Sequence, residues 1–446
     1  MKMMRTMAII CLLLTIAISF NGCDFTISSA SDLIRPPKLT GSNGELQQTF
    51  EADVSERGSI ILKSPSEGDY ISSYILYDLD NDSVDEAIVF YCLESDESNI
   101  YMHLLDYIDE EWVSIVDISG DGADVVSIDF YDLNGDGYSE ILVSYSILDS
   151  VSNKKLYVYS SNEDNGLVYS ASATSSYTEI MVIDADLDGY DEIAIAYLDS
   201  TSEEYTSNFR LLKMSIDDGT ISTVGETQLC SLNTGFANIA SDVHDGICYF
   251  YIDEVVSGSL ITEIVYWDEN NAKLVSPIDI DILTLSSSVT ARSLSIICQD
   301  INDDGIIEIP LASELNGSVI VNDSVETTQS LKLITWSTYN DDEFNSAFSC
   351  VIYLDVGFYV SIQDDMIDYL YVEINSDQYK MFFYELNDDD ETELLFTITS
   401  VLITDDEAPG FYIATGRVYS LYGEITEYGS SIGLTKTDII NSVATI

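Results

Sequence analysis

Positive charge is scarce in this chain. Its 446 residues include 16 Lys+Arg against 79 Asp+Glu, which gives a formal net charge of −63. Proteins that bind nucleic acids need Lys and Arg to contact phosphates, so nucleic-acid binding is excluded, and direct adhesion to anionic lipid headgroups is disfavoured. Such a charge keeps a protein soluble, but cations must screen its self-repulsion. A calcium-containing exterior would supply those cations.

Histidine is rarer still, and the usual catalytic patterns are missing. His103 and His244 are the two histidines, and we expect both to be structural. The chain has no H-E-x-x-H zinc motif, no Gly-Lys-Ser phosphate loop and no G-x-G-x-x-G after a strand. An enzyme is therefore not expected. Acidic residues are nevertheless so abundant that a glycosidase carboxylate pair stays an open alternative.

Cysteines are few and irregularly spaced. An odd number at wide intervals is neither a disulfide framework nor a zinc pattern. We expect most of them to be small buried hydrophobic residues. The five that follow Cys23 are Cys92, Cys230, Cys248, Cys298 and Cys350.

The N-terminus has the features of an export signal. Lys2 and Arg5 precede an apolar stretch over residues 7–20, which is short for a membrane span. The stretch ends in Phe-Asn-Gly-Cys at Cys23, which resembles the lipobox of bacterial lipoproteins. We therefore predict a signal peptide over 1–22, a lipid on Cys23, a linker over 23–44 and a place on the bacterial cell surface, anchored to the cell membrane. An ordinary secretory signal is the alternative.

Four short acidic loops are the most informative feature present. Each has Asp at its first position, Asp or Asn at the third, Asp at the fifth and Glu at the ninth. The four sets are Asp78, Asp80, Asp82 and Glu86; Asp132, Asn134, Asp136 and Glu140; Asp184, Asp186, Asp188 and Glu192; and Asp300, Asn302, Asp304 and Glu308.

This pattern predicts metal binding. Alternate residues in a tight turn can direct three oxygen side chains at one centre, and a later carboxylate completes the oxygen cage that Ca²⁺ prefers. Without a cation, carboxylates about 4 Å apart repel by ~4 kcal/mol per pair at an effective dielectric of ~20. Glycine follows the third acid in three loops, whereas Ser83 takes that place in the first. Ser83 is expected to strain the turn, since glycine adopts positive φ easily.

The spacing of the loops predicts a repeat architecture. Their first residues lie 54, 52 and 116 residues apart, and the last interval is two steps of 58. An acidic turn at Asp242 stands midway but lacks the acids at the fifth and ninth positions. Apolar, β-branched runs flank the loops, so each loop is expected to join two strands and not two helices, which excludes an EF-hand. Repeats of 50–60 residues are typical of a β-propeller or a similar array.

The predicted fold is mainly β. We expect a β-propeller of about five recognisable blades over 45–330, followed by a small α+β domain over 331–446. That domain would end in a capped helix near 434–440. In the alternative, the last segment forms degenerate blades that complete a ring of up to seven.

The loops and their strands resemble the FG-GAP/VCBS repeats of the integrin α-subunit propeller. The chain also resembles Firmicute lipoproteins that carry VCBS repeats, on cues such as Ile-Arg-Pro-Pro at 34–37 and the loop of 300–310. The resemblance implies structural Ca²⁺ at up to four sites, held by the loop residues named above. It also implies that each site is completed by the backbone carbonyl of the seventh residue. Those residues are Val84, Tyr138, Tyr190 and Ile306.

The expected function is a non-catalytic binding or scaffold module on the cell surface, with a protein or glycan ligand. The alternative is a glycan-binding protein or a polysaccharide-active enzyme of the cell envelope. It rests on exposed members of the 30 tyrosines and on Trp112, Trp267 and Trp336.

Overall fold

A computed structural model describes residues 42–120, 122–147, 153–162, 166–199, 206–277, 289–293, 295–340, 342–386, 391–404 and 409–445. The predicted signal peptide, Cys23 and most of the predicted linker lie outside the described residues. Within them, no helix is both long enough and apolar enough to cross a membrane.

The first sheet is four strands wide and follows an N-terminal helix. Strands β1 and β2 pair with opposite halves of β3, so together they form one split edge strand. The remaining strands follow antiparallel in chain order. The elements are α1 (Ser42–Val54), a 3₁₀ turn (Ser55–Arg57), β1 (Ile60–Lys63), β2 (Tyr74–Tyr77), β3 (Glu86–Leu93), β4 (Asp96–Ile108) and β5 (Glu111–Ser119).

Three four-stranded antiparallel sheets come next, each with its strands in chain order. The second sheet contains β6 (Val125–Tyr131), β7 (Glu140–Ser146), β8 (Lys154–Asn162) and β9 (Gly166–Tyr177). The third contains β10 (Glu179–Ile183), β11 (Glu192–Asp199), β12 (Thr206–Met214) and β13 (Ile221–Gln228). The fourth contains β14 (Phe236–His244), β15 (Ile247–Val256), β16 (Ser259–Asp268) and β17 (Lys273–Val275).

The last sheet has ten strands in the order β25-β26-β24-β23-β22-β18-β19-β20-β21-β27. Within the described part of this sheet, β18 and β22 are the one pair that runs parallel. The edge strands β25 and β27 contact each other, so the sheet is nearly closed and barrel-like. Its strands are β18 (Ile309–Asn322), β19 (Thr327–Asn340), β20 (Glu343–Tyr353), β21 (Phe358–Ile362), β22 (Leu370–Asn375), β23 (Lys380–Leu386), β24 (Thr392–Leu402), β25 (Phe411–Thr415), β26 (Tyr419–Ile425) and β27 (Val443–Thr445).

Two short helices lie between β26 and β27. They are α2 (Glu427–Ser431) and α3 (Lys436–Ser442), and a 3₁₀ turn (Asp364–Tyr369) precedes β22. Thr435 and Asp438 form a capping box at the start of α3. The capped helix predicted near 434–440 is therefore confirmed.

The sheets stack face to face because their inner strands are apolar on both faces. On β3, Ile88 and Phe90 pack toward the second sheet, while Ala87, Val89 and Tyr91 pack against α1. This is the two-residue alternation of a strand buried on both sides. Further clusters fill the spaces between the second and third sheets, the third and fourth, and the fourth and the start of the ten-stranded sheet.

The prediction of a mainly β chain is confirmed, with several four-stranded antiparallel sheets. The C-terminal part is also largely β. The boundary predicted between 330 and 331 falls within β19, and the ten-stranded sheet already begins at Ile309. This sheet joins segments far apart in the chain, because β18 pairs with both β19 and β22.

Candidate metal centres

The four acidic loops lie at strand connections. The first loop (78–85) joins β2 to β3, the second (132–139) joins β6 to β7, the third (184–191) joins β10 to β11, and the fourth (300–307) leads into β18. A single bridge between Gln299 and Glu308 stands before the fourth loop. The strand predicted there is thus reduced to that bridge among the described residues.

The closing Glu at the ninth position occupies the same place in all four loops. It opens the second strand or immediately precedes it, it is at most 1 % exposed, and its carboxylate accepts the N–H of the loop's second residue. This bond ties the carboxylate to the loop backbone. The bonds run from Leu79 N to Glu86 Oε2 (2.7 Å), Leu133 N to Glu140 Oε2 (2.8 Å), Ala185 N to Glu192 Oε2 (2.9 Å) and Ile301 N to Glu308 Oε2 (3.1 Å).

The first Asp of each loop accepts the N–H of the sixth residue. The sixth residue has φ between 75° and 96° in all four loops, so Ser83 adopts a conformation that costs a non-glycine residue about 1–2 kcal/mol. The bonds run from Ser83 N to Asp78 Oδ2 (2.9 Å), Gly137 N to Asp132 Oδ2 (3.1 Å), Gly189 N to Asp184 Oδ2 (2.9 Å) and Gly305 N to Asp300 Oδ2 (2.7 Å).

The Asp at the fifth position accepts the N–H of the seventh residue. This bond between an Asp side chain and the N–H two residues later is an Asx turn. The bonds run from Val84 N to Asp82 Oδ1 (2.7 Å), Tyr138 N to Asp136 Oδ1 (2.8 Å), Tyr190 N to Asp188 Oδ1 (3.1 Å) and Ile306 N to Asp304 Oδ1 (2.9 Å).

The electrostatics of the closing glutamates favour a cation. Burial, and then the neighbouring loop acids, raise the pKa of Glu86 and of Glu140 to about 8. Burial also raises the pKa of Glu192 and of Glu308. Without a counter-charge, ionising these buried carboxyls is unfavourable, and a bound cation would supply that counter-charge.

The first loop brings carboxylates together, and no side chain among the described residues donates a hydrogen bond to them. Oxygens of Asp78, Asp80 and Glu86 all lie within 4.8 Å of one another, so this group could hold a metal ion. Asp106 on β4 follows Leu105, which pairs with Ala87, and therefore stands opposite Glu86. Its negative charge adds to the rise in the pKa of Glu86, after burial and Asp80. Sequence reasoning missed Asp106.

The third loop brings the same positions together, but around a lysine. Oxygens of Asp184, Asp186 and Glu192 lie within 4.8 Å of one another, so this group also could hold a metal ion. Lys213 Nζ on β12 lies 2.6 Å from Asp186 Oδ2, 2.7 Å from Asp188 Oδ2 and 2.7 Å from Glu192 Oε1. Burial would lower the pKa of Lys213, but these three carboxylates raise it above its usual value. Lys213 was also missed in the sequence.

In the second and fourth loops, the Asn at the third position turns its amide toward the acids. Asn134 Nδ2 donates to Asp136 Oδ2 (3.1 Å), and Asn302 Nδ2 donates to both Asp304 Oδ2 (3.0 Å) and Glu308 Oε1 (2.7 Å). In the second loop Glu140 Oε1 is buried and has no hydrogen-bond partner. A bound cation would satisfy that oxygen, and a buried carboxylate oxygen is rarely left unpaired.

Neighbouring loops contact one another along one edge of the stack. Ser139 N in the second loop donates to Leu79 O in the first (2.8 Å). A side chain at Gly135 in the second loop would collide with the ring of Tyr190 in the third. A structural change in one loop would therefore act directly on the neighbouring loop.

The acidic turn at Asp242 is a tight hairpin with its own donors. Asp245 and Gly246 both have positive φ, as a two-residue Asp-Gly hairpin requires. The buried Asp242 carboxylate is 2.8 Å from His244 Nδ1 and accepts Ile307 N (2.6 Å). Protein donors therefore occupy this carboxylate in place of a cation.

His103 lies in a second polar network, on β4 and β5. Its Nε2 is 2.9 Å from Ser114 Oγ and its Nδ1 is 3.2 Å from Asp117 Oδ1. Asp117 also accepts the Tyr91 hydroxyl at 3.0 Å and forms an ion pair with Arg57. The order of side chains is that of a Ser–His–Asp triad, but here the aspartate has further partners.

The N-terminal helix covers this network. The ring of Phe50 meets the His103 imidazole edge-on with centroids 5.3 Å apart. Asp53 Oδ2 lies 3.6 Å from His103 Nε2, and the ion pair of Arg57 follows directly after the helix. These contacts hold α1 on the first sheet.

Comparisons with known proteins add little. No protein-family model matches the chain, and no curated protein matches it. Among the solved structures that match is Sqt1 of Saccharomyces cerevisiae, which is 9% identical, covers 79% of this chain and 98% of that chain, and has a TM-score of 0.29. At that TM-score the similarity supports no argument about fold or function.

Proposed function

We propose that the protein is a calcium-stabilised β-propeller of the FG-GAP/VCBS type, carried on the bacterial cell surface as a lipoprotein. In this proposal it acts as a non-catalytic binding or scaffold module. One observation carries the calcium assignment. The acidic loops repeat the same hydrogen bonds, and each buries a glutamate whose pKa is raised by burial.

The stacked sheets support a propeller. Four sheets are four strands wide, each begins with its first two strands joined at the loop edge or by a tight hairpin, and successive sheets pack face to face. The start of the ten-stranded sheet provides the fifth unit, because β18, β19 and β20 follow the fourth loop as β3, β4 and β5 follow the first.

Calcium in the loops would act on stability. Extracellular calcium sites typically have a Kd of ~10⁻⁴–10⁻³ M, so about 1 mM Ca²⁺ would add roughly 0.4–1.4 kcal/mol per site. Several sites together amount to a sizeable share of a domain's stability of ~5–15 kcal/mol. The loops join strands and contact each other, so a structural role suits their position.

The surface location rests on the sequence of the first 23 residues. A lipid on Cys23 and a linker up to residue 44 would place the folded part next to the membrane. The negative charge of the chain favours an exterior that contains divalent cations.

The glycan-binding alternative gains no support from the tryptophans. Trp336 is buried. Trp112 packs against Tyr107 with ring centroids 5.0 Å apart, and Trp267 lies against Gly225. Trp112 and Trp267 are partly buried, against the hydrophobic cluster of the first sheet and the one between the third and fourth sheets, respectively.

Thermal unfolding tests the proposal. The protein should melt at a higher temperature in 1–5 mM Ca²⁺ than in a chelator, with a smaller effect of Mg²⁺, because Mg²⁺ gives up its waters reluctantly. In a second arm, the closing glutamates Glu86 and Glu140 are replaced together by Gln, which should remove most of the rise in melting temperature caused by Ca²⁺. A melting temperature that does not respond to Ca²⁺ would overturn the proposal.

A further inference from the structure

We propose that Lys213 is a built-in cation of the third loop, so that this loop keeps its shape without calcium. This inference rests on the proposed function for the other loops. It concerns the one loop whose acids surround a basic side chain of this chain, among the residues that the structure describes.

Lys213 donates hydrogen bonds to Asp186 and Asp188 and forms an ion pair with Glu192. Nζ lies within 2.7 Å of one oxygen each of Asp186, Asp188 and Glu192, which are the third, fifth and ninth positions of the loop. The remaining acid, Asp184, accepts backbone N–H groups of the loop at both oxygens. Every acid of the third loop therefore has a donor.

The position of Lys213 follows from strand pairing. Ile193 pairs with Leu212 across β11 and β12, so the next pair outward is Glu192 with Lys213. The residue opposite the closing Glu is therefore within reach of the metal position. By the same registers it is Asp106 in the first loop, Ser160 in the second and Thr338 in the fourth.

This single position gives the loops different charges. The first loop has four carboxylates and gains a fifth from Asp106. The third loop has four carboxylates and loses one net charge to Lys213. The loop with the most unbalanced negative charge should bind a divalent cation most tightly, and the loop with the lysine should bind it least tightly.

Calcium and the ammonium group cannot both use these oxygens. A calcium ion needs its oxygen ligands at about 2.3–2.6 Å, and Nζ already lies at 2.6–2.7 Å from three of the oxygens that it would need. Calcium could enter only after the lysine side chain withdrew. We therefore expect the wild-type protein to bind no calcium in the third loop at millimolar concentration.

Replacing Lys213 by Met tests this directly, since Met keeps the unbranched side chain and removes the charge. Calcium titration by calorimetry should show one more bound ion per molecule than in the wild type. In chelator, Lys213→Met should melt at a lower temperature than the wild type, because four loop acids then have no counter-charge. Saturating Ca²⁺ should remove most of that difference.

Two further variants serve as controls. Lys154→Met removes an exposed pair with Glu67 (Nζ–Oε2 3.2 Å) and should change neither the number of bound ions nor the melting temperature in chelator by much. Lys213→Arg keeps the positive charge and should bind no extra ion. If Lys213→Met folds only with calcium, a calcium-dependent gain of folded protein by circular dichroism replaces the melting comparison and supports the inference.

The outcomes separate this inference from the proposed function. If the wild type binds no calcium, the proposed function fails, but the loss of stability of Lys213→Met in chelator still tests the lysine. An unchanged ion count together with an unchanged melting temperature in chelator would overturn the role of Lys213. Calcium bound in the third loop of the wild-type protein would also overturn the role of Lys213. It would be detected as one bound ion fewer when Asp184 is replaced by Asn.

Discussion

Replacing Glu140 by Gln should stabilise the calcium-free protein, and calcium should remove a large part of that gain. The Glu140 side chain is fully buried, and one of its oxygens accepts Leu133 N while the other has no partner. A glutamine can still accept the Leu133 N–H, and its amide NH₂ can face Asp132 and Asp136. The substitution therefore removes the buried ionisable carboxyl and keeps the loop's hydrogen bond.

The size of the effect in chelator follows from the pKa. Burial raises the pKa of Glu140 from 4.5 to about 8. At pH 7 the unfolded chain is ionised and the folded protein is not, which corresponds to at most about 3 kcal/mol against folding at ~1.4 kcal/mol per pKa unit. Gln does not ionise and so has no such free-energy cost on folding. Glu140→Gln should therefore stabilise the calcium-free protein by up to that amount.

In calcium the gain becomes smaller. The ionised carboxylate is a charged ligand, and Gln offers only a neutral oxygen. A site with a Kd of ~10⁻⁴ M contributes about 1.4 kcal/mol at 1 mM Ca²⁺, and most of this should be lost. The advantage of Glu140→Gln over the wild type should then shrink from about 3 kcal/mol to roughly 1.5–2 kcal/mol.

Urea unfolding followed by tryptophan fluorescence at pH 7, in 1 mM Ca²⁺ and in chelator, measures both effects. Glu111→Gln makes the same chemical change at an exposed position of β5 and should be neutral in both conditions. If Glu140→Gln destabilised the protein equally in both, the glutamate would act through its hydrogen bond alone, and the charge argument would be refuted.

Three further predictions use other parts of the fold. Ser83→Gly should stabilise the protein by ~0.5–1 kcal/mol, because φ at Ser83 is 75°. The control Ser72→Gly, outside the loops, should not stabilise it, and urea unfolding measures the free energy of unfolding of both variants. Phe50→Ala should cost ~3–5 kcal/mol by opening a cavity under α1, whereas exposed Glu51→Ala should be nearly neutral in the same assay. In chelator, the melting temperature should fall as the pH rises from about 4.5 to 8. The reason is that the pKa of Glu86 is raised to about 8 in the folded protein, so its contribution to stability is complete below the unfolded pKa and is lost as the pH rises through the folded pKa. Bound Ca²⁺ should flatten this profile, and an equally steep fall in Ca²⁺ would contradict the assignment.

The sequence was most informative where structure is local. The acidic residues of one loop lie within nine residues of each other, so spacing alone was enough to predict their grouping and the strands beside them. The Asp-Gly hairpin after His244 is local in the same way, whereas the burial of Asp242 beside it depends on long-range contacts such as that with Ile307 N.

Long-range pairing could not be predicted. Asp106 and Lys213 reach their loops only because strand registers set them opposite Glu86 and Glu192, and bulges shift such registers by single residues. The parallel pairing of β18 with β22 likewise depends on packing and not on a local pattern. For this reason the predicted domain boundary between 330 and 331 falls within β19.

The helix α1 has a consequence for mechanical load. It lies at the start of the described chain and seals the outer face of the first sheet through Leu46, Phe50 and Val54. A pull from the N-terminal side therefore acts on this helix before it acts on any strand. Peeling α1 away would expose an apolar sheet face and the His103 network while the acidic loops stayed intact. The weakest point under tension should therefore be the attachment of the helix and not the acidic loops.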